Sequence, residues 1–81
     1  MKIGFSKKEW EHLGLVFLYT DQNPEDGILN NDIVELELSV EDWEDLNGFV
    51  AAEANHAETK DQQIQLDSIH EKIEVSILQQ N

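Results

Sequence analysis

The run Ser6 to Thr20, SKKEWEHLGLVFLYT, is the densest apolar stretch of this chain, and any fold the chain adopts has to cover it. Ser6 followed by Glu9 is a capping-box pattern. The serine hydroxyl accepts from an orphan backbone N–H, and the glutamate reaches back to the N–H of the cap. A helix is expected to start there. Trp10, Leu13, Val16 and Phe17 recur at steps of three and four, one stripe of a 3.6-residue helix, while Leu15, Leu18 and Tyr19 widen it around most of the circumference. The second half of this helix is therefore expected to be buried on several sides. Gly14, inside the pattern, costs about 1 kcal/mol against alanine and predicts a close neighbour there, such as a second helix.

At 81 residues the chain is read as a single small domain, 1–81, at a size where one core is marginal and a second copy often adds stability. Self-association into a homo-oligomer is accordingly expected. The net charge of −13 opposes compaction by self-repulsion. With no cysteine there are no disulfides or zinc–thiolate sites, and no apolar span reaches membrane-crossing length. The expectation is a cytoplasmic protein with no membrane association. The only strong bases are Lys2, Lys7, Lys8, Lys60 and Lys72, so direct nucleic-acid binding by phosphate neutralisation has almost nothing to work with. Lys7 and Lys8 oppose the dipole of the first helix and are expected to meet carboxylates elsewhere.

Met1 to Phe5 reads as an edge strand or an ordered lead-in. Asp21 to Asp32 (DQNPEDGILNND) has Pro24, an Asp26-Gly27 turn pair and three asparagines, and reads as the longest connector. Ile33 to Leu38 alternates, Val34, Leu36 and Leu38 against Glu35 and Glu37, the period of a half-buried strand. Ser39, with Asp42 at the reciprocal position, opens a second helix whose stripe is Trp43, Leu46, Phe49 and Val50. Thr59 and Gln62 suggest a third cap, followed by Leu66, Ile69, Ile73 and Ile77 on one stripe of a helix over about residues 60–79. Residues 72–78 alternate equally well and are open to a strand reading. The expected class is α+β, three helices with a minor two-stranded β component; an all-α three-helix bundle is the alternative.

The segment from Ile3 to Leu13 aligns with that from Leu36 to Leu46 at a constant offset of 33, serine cap on serine cap and Trp10 on Trp43. This suggests two equivalent strand-to-helix units, 3–20 and 36–57. One repeat pair is too few for a solenoid array.

Two patterns bear on metals. The 21–32 connector has the length of an EF-hand loop and begins Asp-x-Asn-x-Glu, but its glycine falls one place late and it ends on Asp32 rather than glutamate, so a solvated turn is the better reading. Glu9/His12, Glu53/His56 and Asp67/His70 repeat the acid-x-x-His spacing with which di-iron bundles hold metals. Each pair lies about one position off its apolar stripe and is expected to flank the core. Neither pattern is taken as a site; a metal-binding helical protein using these pairs remains the alternative from another class, and no metal or other cofactor is expected. Trp10 and Trp43 begin their stripes and read as core residues. No nucleophile–base pair, phosphate-cradling loop or carboxylate dyad emerges from the spacing, so the chain is read as non-enzymatic.

What remains is the acidity. Glu35 and Glu37 share a strand face about 6.8 Å apart at two residues' rise, and Glu41, Asp42, Glu44 and Asp45 crowd the first turns of the next helix. The helix dipole favours acids there, which accounts for part of the pattern but not for the strand glutamates. Such a face attracts a strongly basic protein partner and speeds its capture by electrostatic steering. In size and charge the chain resembles the small acidic inhibitors that phages direct against host defence nucleases, DNA-mimic and anti-CRISPR proteins among them. The expected function is a non-enzymatic binding or inhibitor protein for a basic partner, with a small structural homodimer as a further alternative.

Overall fold

Hydroxyl residues open all three helices. In a computed structural model, which describes residues 1–18 and 27–80, strand β1 (Lys2–Ser6) runs directly into helix α1 (Lys7–Phe17). The Ser6 hydroxyl accepts from Glu9 N–H at 3.1 Å and the Glu9 carboxylate accepts from Ser6 N–H at 2.8 Å, so both halves of the capping box form. Strands β2 (Ile28–Asn30) and β3 (Ile33–Glu37) follow, then helices α2 (Val40–Asn55) and α3 (Lys60–Gln80). Ser39 accepts from Asp42 N–H at 3.2 Å, and Thr59 from Gln62 N–H at 3.1 Å.

The protein is α+β, and its described residues form three helices and an antiparallel sheet ordered β1-β3-β2. The sheet has three strands rather than two. Residues 28–32, expected as the end of a connector, are instead a strand and a two-residue hairpin turn. Asn31 (φ 50°) and Asp32 (φ 70°) both take the left-handed conformation that matches the right-handed twist of the flanking strands. Residues 72–78 are helical: Leu66, Ile69 and Ile73 are buried at helical spacing, and Val75, which a strand reading needs on the same face as Ile73 and Ile77, is exposed.

One sheet face sends Ile3, Phe5 and Leu36 into a core shared with Leu13, Val16 and Phe17 of α1, Trp43, Leu46, Val50 and Ala54 of α2, and Leu66, Ile69 and Ile73 of α3. The aligned residues Ile3 and Leu36 are direct partners across the ladder. Phe5–Val34 lies on one side of that pair, and Met1 and Leu38 exchange both backbone bonds on the other. The register thus sets the aligned strand positions 3 and 36 opposite each other. The helices depart from this correspondence: Trp43 is fully buried and donates its indole N–H to Met1 O at 2.7 Å, whereas Trp10 is half-buried.

The first helix is not covered all round. Leu15 is 45% and Leu18 78% exposed, because α2 and α3 pack only on the Leu13–Val16–Phe17 side; Tyr19 lies outside the described residues. Apart from its chain neighbours and the backbone of its own helix, no described residue comes within 4 Å of a Cβ built on Gly14, so the expected close neighbour is absent there among the described residues. Phe49, expected on the buried stripe of α2, is 41% exposed; Leu46, Val50 and Ala54 define the buried line, and Phe49 falls beside it.

Candidate functional site

At the free edge of β1 the structure builds an ionic centre that the sequence reading missed. Glu9, expected to flank the core, is only 7% exposed. Its carboxylate accepts from Lys72 Nζ at 2.9 Å and from Ser68 Oγ at 3.1 Å, besides the Ser6 N–H. Lys72 also donates to Gly4 O at 3.1 Å and lies over the Phe5 ring, 5.2 Å from its centroid. Since Met1 and Leu38 form a hydrogen-bonded pair, antiparallel alternation points the polar groups of Gly4 and Ser6 away from β3. Glu9 and Lys72 thus occupy the positions that a further strand would need for pairing, which blunts this edge. Burial alone would raise the Glu9 pKa. The Ser6 N–H, Lys72 and Ser68 outweigh it and hold the carboxyl below its ordinary range. The capping box signalled Glu9; nothing in the spacing signalled Lys72, which arrives from another helix.

The six acids expected to form one recognition face divide. Glu35 and Glu37 lie on the sheet face opposite to the one that packs on the helices. There Glu35 accepts from Asn30 Nδ2 at 3.4 Å and Glu37 stands across from Lys2. Glu41, Asp42, Glu44 and Asp45 are all exposed on the first turns of α2, beyond the buried line of Trp43, Leu46 and Val50. Glu41 and Asp45, four residues apart, share its outward side, Glu44 turns towards α3, and Asp42 lies on the opposite flank with Phe49.

Four of the five lysines face carboxylates outside α2. Lys7 reaches Asp32 at 3.4 Å and Lys8 reaches Asp61 at 3.3 Å, the outcome expected of two cations placed against a helix dipole. With Lys72 on Glu9 and Lys2 beside Glu37, the acids of α2 have no cation partner among the described residues.

The acid–histidine pairs do not converge. Glu9 is held by Lys72, and the His12 ring bonds Lys8 O at 2.8 Å. His70 bonds Asn47 Oδ1 at 2.8 Å and approaches Glu74 at 3.5 Å, while His56 caps the C-terminus of α2. Among the described residues no three His, Asp or Glu side chains cluster as metal ligands. The first half of the EF-hand-like segment, 21–26, lies outside the described residues; its second half, 27–32, leads into the β2–β3 hairpin and supplies its first strand and turn. No helix of the described residues is long and apolar enough to cross a membrane.

Compared with protein-family models, with curated proteins and with solved structures, the chain matches none.

Proposed function

We propose that the chain is a non-enzymatic, cytoplasmic binding protein that uses the acidic first turns of α2 to capture a basic protein partner. The observation that carries this reading is the isolation of those acids. Helix α2 holds five carboxylates and no lysine, and its acids have no cation partner among the described residues, while Lys2, Lys7, Lys8 and Lys72 face carboxylates elsewhere. Uncompensated carboxylates on a rigid helix present a fixed negative field, which steers a cationic surface and raises its capture rate. Glu35 and Glu37, on the other side of the sheet, add to the long-range field rather than to the contact. A partner that normally holds nucleic acid presents the complementary surface, so an inhibitor that occupies a phosphate-binding face, in the manner of DNA-mimic and anti-defence proteins, is the narrower form of the proposal.

The test is affinity capture from a lysate of the source cell, using the wild-type chain and a variant with Glu41, Asp42, Glu44 and Asp45 changed to their amides. A basic protein retained by wild type at low salt and absent from the variant is the expected result. Equal retention by both would remove α2 from the account.

A further inference from the structure

Between α2 and α3 lies an open groove of about 230 Å³. The four-residue connection 56–59 lays these helices side by side, and the groove runs along their outer seam. Gly48 and Ala51 put two small residues on the α2 side beside Glu44 and Asn47, Ile77 and the largely exposed Leu78 supply an apolar wall on α3, and α2 and α3 each bring one carboxylate to the rim, Glu44 and Glu74. The His70 ring, held between Asn47 and Glu74, completes the lining.

We propose that this groove seats a basic segment of the partner, anchored by an apolar side chain that enters over Gly48 between flanking lysines or arginines. The inference deepens the binding reading above and rests on it. Three observations select this occupant. Gly48 sits in a helix interior, where alanine is the better helix former, yet apart from its chain neighbours and the backbone of its own helix no described residue lies within 4 Å of where its Cβ would be, so no tertiary contact among them requires the glycine. The space is below the range of about 300–1,000 Å³ usual for small-molecule pockets, and suits one or two side chains of a peptide. Both rims are carboxylate and no lysine lines the groove, which complements a cationic segment and repels a second copy of a chain of charge −13.

The test uses a fluorescein-labelled amphipathic peptide built of leucine and lysine, a serine–lysine peptide of equal charge, and amide chemical-shift mapping. Gly48→Leu fills the groove with a better helix former, and Ala52→Leu puts the same side chain on the outward side of α2 as control. Glu44→Lys/Glu74→Lys reverses both rims at exposed positions, so the test survives if Gly48→Leu misfolds. The leucine–lysine peptide should shift amides of residues 47–51 and 70–78. It should bind Gly48→Leu about tenfold more weakly than wild type, as expected for loss of a buried anchor, and Ala52→Leu unchanged. The rim reversal should abolish binding, and the serine–lysine peptide should bind weakly and ignore Gly48→Leu. If Gly48→Leu and the rim reversal bind like wild type while neutralising Glu41, Asp42 and Asp45 prevents binding, the groove is wrong and the acidic-helix reading stands. If neither peptide binds at low salt, both fail. A dimer that forms without peptide and is lost in Gly48→Leu would make a second copy the occupant and overturn the proposal.

Discussion

Lys72 and Glu9, 63 positions apart in the chain, meet at 2.9 Å beside the free edge of the sheet. The pair joins the end of β1, the start of α1 and the middle of α3, so it senses whether α3 is docked. Lys72→Met leaves the Glu9 carboxylate buried without its cation. The ammonium is partly exposed and its loss partly compensated by water, so the expected cost is about 2 kcal/mol, below that of a fully buried pair. Urea unfolding of Lys72→Met, Glu9→Gln and the double variant measures it, with the double variant expected to lose less than the sum of the two.

The same carboxylate sets a pH dependence. Its pKa is lowered on folding from the ordinary 4.5, so its contribution is complete above that value and is lost as pH falls through the lower folded value. The stability difference between wild type and Glu9→Gln should stay flat from about pH 7 to 5 and shrink on further acidification. Taking the difference cancels the other carboxylates, which titrate in both proteins. A gap that widens in acid would mean that Glu9 is protonated in the fold.

Two glycines should respond with opposite signs. A Cβ on Gly27 would lie 2.5 Å from Trp10 Cζ2 and 2.8 Å from Val34 Cγ1, so Gly27→Ala should cost about 1–3 kcal/mol as the indole is displaced. Gly48→Ala meets nothing and should gain about 0.5–1 kcal/mol from helix propensity. Thermal melts of the two variants are the measurement.

The exposed leucines of α1 bear on self-association. Leu18, 78% exposed, and Leu15 form an apolar strip that a second copy would cover, and salt should favour this by screening the charge of −13. Light scattering is expected to show mass rising with protein concentration at high salt and returning to monomer in Leu18→Glu. A monomer throughout would end the dimer expectation.

Much of the fold was legible because it is written locally. Ser6 and Ser39 mark helix starts that follow strands, and alternation from Ile33 placed β3. The hairpin escaped because Asn30, Asn31 and Asp32 read as connector by composition, while it is the left-handed backbone at Asn31 and Asp32 that turns the chain. Glu9 looked like a cap and nothing more, since its second role depends on α3 arriving from a distant part of the chain. The acidic cluster was visible as sequence, but neighbours in sequence need not share a face. Strand alternation turns Glu35 and Glu37 away from the helices, and the circumference of α2 separates Glu44 from Asp42.

On the proposed function, the uncompensated carboxylates of α2 do the capturing. The most direct test is the association rate of the captured partner, measured by stopped flow across a salt series. Three variants of equal charge change are compared with wild type on a per-charge basis: Glu41, Asp42, Glu44 and Asp45 to amides; Glu35 and Glu37 to glutamine with Glu11 and Glu58; and Glu11, Glu58, Asp67 and Glu71 alone. All these side chains are exposed or partly exposed, so each change should move stability by less than about 0.5 kcal/mol. The α2 set is expected to slow association most and to flatten its salt dependence, with the other two sets close to each other. Equal slowing by all three would reduce the effect to bulk charge and contradict the proposed function.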